Sequence, residues 1–358
     1  MNRRFSKVYA WALILLFLAG QVFVFAYPFS KQLDLCALLS VAGFALSCML
    51  TPTLHELGHI AFAKRAKMKI RYTKFFIFAF ERKKGKLRFS LASPFSAEQT
   101  QAYPIENGDM KNRMVCFASG GLIFSGLWFV FLAGLSVLFF FISEIAFYLT
   151  LGMIPYAAYL LFLNLPPFEY PSGKSDSLVV SELKKGEDEA AYLLSVMEIY
   201  AWLAQGKRFG EIDEKLYFDL PVIAEDSQEW AVMQLLRYRY YLDSGDFDNA
   251  ASCLNRMVSA EEYLSSDTFE EVFCELVFLH ALNWDKELAK NCYERVENAF
   301  LENRAPLRIR LIYAVISEDE ELTKALLSEV ESADYGELLG EIATEKDLTE
   351  RLVSSITK

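Results

Sequence analysis

Histidine is nearly missing from this sequence, with three in 358 residues, and the six cysteines never form a Cys-x-x-Cys pair. That spacing excludes a disulfide framework and leaves free thiols in a reducing compartment as the expectation. Charge is missing from residues 8–27, VYAWALILLFLAGQVFVFAY. Such a run spans about 30 Å as a helix, enough to cross a hydrocarbon core. Basic charge is scarce in the second half: residues 180–358 hold 18 Lys and Arg against 38 Asp and Glu, a net of −20. This excludes nucleic acid and anionic lipid as surfaces for that half. Residues 1–179 hold 18 against 9, a net of +9. The asymmetry predicts a membrane domain, 1–180, followed by an acidic soluble domain, 181–358.

Apolar runs at about 8–27, 35–63, 114–142 and 145–165 predict four spans. The first is read as an uncleaved anchor, since no clear cleavage site follows it before Pro28. Residues 64–113 hold 13 Lys and Arg, whereas the connections 28–34 and 143–144 hold one, Lys31. The positive-inside rule then sets both termini and residues 64–113 on the cytoplasmic side. Within that loop, 66–113, the stretch 70–93 is rich in strand formers, with Lys83–Lys86 (KKGK) as the turn of a β-hairpin. The hairpin would lie on anionic lipid or offer an open edge to an extended substrate.

Two of the scarce histidines fall in HELGH, His55 to His59, at the cytoplasmic end of the second run. Residues four apart share a helix face, so His55 and His59 can converge on one zinc ion. Glu56 projects roughly 100° away and is free to act on a metal-bound water. Chance produces such a match in a chain of this composition with an expectation on the order of 0.002. Ionisable groups in or near lipid are also costly unless they serve a site. A catalytic zinc needs a third protein ligand at the same depth, and Glu169 and Asp176 both follow the fourth run. His280, deep in the second half, is expected to be a packed or surface residue.

HELGH on a membrane helix, then Asn164-Leu165-Pro166-Pro167 and Ser175-Asp176 about a hundred residues later, resembles the site-2 protease family of intramembrane zinc metalloproteases. The resemblance covers about residues 35–180. It implies Zn²⁺ as cofactor, His55, His59 and Asp176 as ligands, Glu56 as the general base, and a membrane-embedded protein as substrate. It also implies that Asn164 holds unwound substrate backbone or the developing oxyanion, where the residues alone suggest a cap on the fourth helix. Ser177 stands where the family has glycine. In FASGGLIFSG, Gly121 and Phe124 stand where a related segment has proline and asparagine. A catalytically silent membrane scaffold is the competing reading.

From about 181 onward the pattern is helical, and only Pro221 and Pro306 interrupt it. Echoes at 199–212, 239–250, 281–296 and 315–330 recur every 34–40 residues. They resemble degenerate tetratricopeptide repeats and predict a solenoid able to bind a cytoplasmic partner protein. The expected fold is therefore mainly α: a helical membrane bundle with a small β-hairpin, then a helical-repeat domain. The basic loops suit a bacterial plasma membrane.

Overall fold

The computed structural model describes residues 3–83, 86–93, 99–170 and 173–356. The chain folds as two compact units, one running to Glu187 and the other from Asp188, with Pro104–Gly108 belonging to the second.

In the first unit, α1 (Arg3–Ser30) and α2 (Asp34–Arg65) precede a sheet of β1 (Met68–Phe75), β2 (Phe78–Lys83), β3 (Lys86–Leu91) and β4 (Gln99–Pro104). Then come α3 (Met110–Ile142), α4 (Glu144–Asn164), the two-residue strands β5 (Glu169–Tyr170) and β6 (Gly173–Lys174), and α5 (Asp176–Lys185). Among the described residues, α1 to α4 are the helices long and apolar enough to cross a membrane. Their outer faces leave Leu15, Leu16, Val130 and Phe141 exposed, an apolar surface that water does not tolerate over such an area.

The second helix is the hub of this unit. Gly43 and Gly152 let α2 and α4 approach backbone to backbone, since a Cβ on either would overlap the carbonyl of Leu149 or Ser40. Gly58 and Gly120 do the same for α2 and α3. Ser47 Oγ, which faces α4, donates to the Met153 carbonyl at 2.8 Å. Glycine contacts and hydroxyl-to-carbonyl bonds of this kind hold helices together where lipid removes any hydrophobic drive to associate.

The expected two-stranded hairpin is a four-stranded sheet in the order β3-β2-β1-β4. β1 and β2 pair antiparallel from Tyr72↔Glu81 to Phe75↔Phe78, so the chain reverses at Phe76 and Ile77, with Phe76 at φ +53°. Neither residue is a glycine or asparagine, which is why the sequence carries no turn signal there. Of the expected turn at 83–86, Lys84 and Gly85 lie outside the described residues.

In the second unit, α6 (Asp188–Ala204) leads through a 3-10 turn (Phe209–Glu211) to the short α7 (Lys215–Phe218). Antiparallel hairpins follow: α8 (Gln228–Ser244) with α9 (Phe247–Val258), and α10 (Ser266–Leu282) with α11 (Lys286–Arg295). After α12 (Glu297–Leu301) comes the pair α13 (Leu307–Ile316) and α14 (Glu320–Glu329), and then α15 (Leu339–Ile356). Each of these three hairpins turns the same way. A residue at positive φ (Gly245, Trp284, Glu318) is followed by an aspartate whose carboxylate accepts a backbone N–H of the next helix (Asp246, Asp285, Asp319). This left-handed residue plus aspartate cap is the recurring unit behind the sequence echoes. Leu254, Met257, Val277, Ile309 and Leu311 fill one continuous core.

Candidate metal centre

HELGH lies whole within α2, and His55, Glu56 and His59 are all buried. The two imidazoles face each other with Nε2 atoms 3.3 Å apart. Asp176, the first residue of α5, brings Oδ2 to 3.3 Å from His55 Nε2 and 3.4 Å from His59 Nε2. Three donor atoms from two helices therefore form a nearly equilateral triangle. A tetrahedral zinc with bonds of about 2.0–2.1 Å requires ligand-to-ligand edges of about 3.3–3.4 Å. The residues present fit a zinc ion.

The hydrogen bonding around the triangle gives a second test. His59 Nδ1 donates to the Phe117 carbonyl at 3.0 Å, and a carbonyl can only accept. In the neutral ring this leaves His59 Nε2 as a bare lone pair. His55 Nδ1 shares a 2.9 Å hydrogen bond with Ser125 Oγ, which fixes the other ring. Asp176 Oδ2 is buried and accepts no hydrogen bond, although both rings lie beside it. Three such atoms held at these distances suit a shared cation, which binds the deprotonated forms.

Space for that cation exists because residue 121 is glycine. A Cβ there would stand 2.5 Å from His59 Nε2 and 2.7 Å from His55 Nε2. Gly121, Ser125 and the Phe117 carbonyl all come from α3, one helical turn apart. In sequence this segment stood out only as FASGGLIFSG, through its loose likeness to a family segment, and nothing there tied Phe117, Gly121 or Ser125 to the histidines.

Glu56 offers a carboxylate oxygen within 4.8 Å of the imidazole donors, and its Oε2 is buried without a partner. The Thr100 hydroxyl of β4, itself 2.9 Å from Thr73 Oγ1 of β1, lies beside the same carboxylate. The sheet thus reaches the base, which the sequence reading did not anticipate.

The two candidates for third ligand are separated cleanly. Glu169 is exposed on β5 opposite Lys174, whereas Asp176 joins the histidines. The stretch between Asn164 and Asp176 is long in sequence but folds out as the β5–β6 hairpin. Ser175 closes its base: its Oγ donates to the Pro166 carbonyl at 2.8 Å, and its N–H donates to the Phe168 carbonyl at 3.0 Å. The same Oγ accepts from Leu178 N–H, so Ser175 is also the N-cap of α5 and sets Asp176 in its first turn. Asn164 is not brought into the triangle by any bond of its amide, which donates to the Leu160 carbonyl of its own helix at 3.3 Å. That is the cap-like role at the end of α4. His280 is half-buried at the end of α10, in the second unit.

No protein-family model, curated protein or solved structure matches this chain. The functional reading rests on the residues and their geometry.

Proposed function

We propose that the chain is an intramembrane zinc endopeptidase that cleaves membrane-embedded protein segments near the cytoplasmic face. The observation that carries the reading is the triangle of His55, His59 and Asp176 donors, with edges of 3.3–3.4 Å, beside a buried Glu56 on an apolar helix of spanning length. A zinc ion held by these three residues would supply a Lewis acid for the scissile carbonyl and lower the pKa of water toward neutrality.

The chain's own residues supply the rest. Glu56 takes the proton of the attacking water and returns it to the leaving amine, a role open to a carboxylate in reach of the donors and without a competing cation. Ser125 and the Phe117 carbonyl hold the two ring planes, so that the lone pairs keep their aim. Thr100 steadies the base from the sheet side. His55 lies about 20 residues beyond Leu35, or about 30 Å deeper along the helix. The excess of basic residues on the same side makes that end cytoplasmic and suits a bacterial plasma membrane. Water reaches such a site through a short path, because it lies at the lip of the bilayer.

The test is zinc per chain in detergent-purified protein, with peptide cleavage measured alongside. About one zinc in the wild type, lost in His59→Ala and Asp176→Ala, is expected. Glu56→Gln should keep its zinc and lose cleavage by about 10²- to 10⁴-fold. Zinc retained without Asp176 would overturn the ligand set. Zinc bound normally with no cleavage of any membrane substrate would favour the silent scaffold, a reading supported by Phe124 and Ser177 standing where the resembling family has asparagine and glycine.

A further inference from the structure

Two consecutive prolines follow the end of α4. In a helix each carbonyl accepts from the N–H four residues on, and proline has no N–H to give. Pro166 and Pro167 therefore rule out helical donors for the carbonyls of Phe162 and Leu163. On a helix of spanning length an unmet carbonyl is costly, and a side chain from elsewhere must supply the donor. Two tyrosines from outside the helix do so. Tyr9 of α1 donates its hydroxyl to the Phe162 carbonyl at 2.8 Å, and Tyr170 of β5 donates to the Leu163 carbonyl at 2.9 Å.

The same two tyrosines hold the segment that leads to Asp176. Phe168 is buried, with its ring edge-on to those of Phe5, Tyr9 and Tyr170 at centroid distances of 5.7, 5.0 and 6.2 Å. Its backbone is bonded to Ser175 in both directions. Phe168 N–H donates to Ser175 Oγ at 3.1 Å, and Ser175 N–H donates to the Phe168 carbonyl at 3.0 Å. Asp176 is the next residue. The imidazoles of the triangle have holders of their own, Ser125 Oγ and the Phe117 carbonyl, whereas Asp176 Oδ2 has no hydrogen-bond partner. Its place beside the two rings depends on the backbone that carries it.

We propose that Tyr9 and Tyr170 are positioning residues of the metal centre. By donating to the two carbonyls that Pro166 and Pro167 leave open, they seat Phe168 and so hold Asp176 at the histidines. The first helix is then part of the support of the site as well as an anchor. This inference rests on reading the triangle as a zinc site.

The test removes the two hydroxyls and keeps the rings, in a chain carrying Tyr9→Phe and Tyr170→Phe. Its zinc affinity in detergent, measured by competition with a chelator, should fall at least about tenfold. Tyr27→Phe, at the opposite end of α1, should leave the affinity unchanged. Excess zinc should still fill the double variant to about one ion per chain, because the third donor is loosened and not lost. An unchanged affinity, or a site that no excess of zinc fills, would overturn the proposal. A second readout needs no metal. In the zinc-free chain the amides of Ser175, Leu178 and Val179 should exchange at least about tenfold faster in the double variant, while those of 117–121 keep their wild-type rates. Unchanged exchange at Ser175 would overturn the proposal. A wild type that binds no zinc defeats the zinc reading by itself, and the exchange of Ser175 then decides whether the tyrosines hold Asp176 in place.

Discussion

Both units bury charge, and they do so in opposite ways. In the second unit Arg239 and Arg308 face Glu275 and Glu345, two positive groups against two negative, with the Tyr238 hydroxyl donating to Glu275 at 2.6 Å. The buried set is neutral as it stands, and the exposed Glu271 is a further partner of Arg239 at 3.1 Å. In the first unit the buried donors are His55, His59 and Asp176, with Glu56 beside them, and no lysine or arginine is paired with them among the described residues. A balanced cluster needs nothing further, whereas the three donors of the first unit are where the proposed cation would sit. The packing differs in parallel. Helices of the first unit meet at glycines, backbone to backbone, because lipid gives no gain for bringing large apolar side chains together. Helices of the second unit meet through Leu254, Met257 and Ile309, because in water that burial is the main source of stability.

The comparison breaks first at Gly121. Gly121→Ala should abolish zinc retention, since its Cβ would occupy the space among the donor nitrogens, while Gly126→Ala and Gly134→Ala, with open space around them on the same helix, should keep about one zinc per chain. Elemental analysis of the three purified variants decides it. If Gly121→Ala binds zinc normally, the cation does not sit in the triangle.

Breaking the balanced cluster is the next largest effect. Arg308→Ala leaves Glu275 and Glu345 buried with reduced compensation and should cost about 3–5 kcal/mol in the second unit. Urea unfolding of the full chain in detergent, with α10 and α13 followed by amide exchange, gives the value. A loss below about 1 kcal/mol would show the cluster to be solvated rather than buried.

A gentler change sharpens the metal side. Ser125→Ala removes the partner of His55 Nδ1 but no ligand, and should weaken zinc binding by about 10- to 100-fold without removing it. Competition with a chelator of known affinity measures the change. An unchanged affinity would mean that ring packing alone fixes His55.

Acid gives the smallest effect. Burial alone would raise the Glu345 pKa, but Arg308 and Arg239 outweigh it and hold the group below the ordinary 4.5. A lowered folded-state pKa stabilises the fold fully above the ordinary value and loses that contribution as pH falls toward the folded one. The docking of α15 should therefore be constant above about pH 4.5 and weaken progressively below it, read as a falling urea midpoint of the second unit. A midpoint insensitive to pH across that window would detach Glu345 from the docking of α15.

Much of the site could be read from HELGH, because helical geometry makes i and i+4 neighbours whatever the fold. The third donor was harder. The residues alone leave Glu169 and Asp176 both open and the family resemblance favours Asp176, while the β5–β6 hairpin, closed by Ser175, exposes the one and brings the other to the histidines. Thr100 was out of reach for a similar reason: its strand pairs across a sheet whose sharpest turn has neither glycine nor asparagine. In the second unit the repeats were visible as aromatic and glycine echoes, but the true recurring feature, an aspartate cap after a left-handed residue, shows only in the backbone angles.

The sequence by itself determined the four apolar helices, the acidic helical second half and the pair of histidines on one face, since each depends on local periodicity and composition. Tertiary structure alone decided that Gly121 clears the space before the imidazoles, that Asp176 completes the triangle, and that α15 sets Glu345 against Arg239 and Arg308. Those depend on which distant segments the glycine contacts and the repeat stacking bring together, and no local pattern encodes that distance.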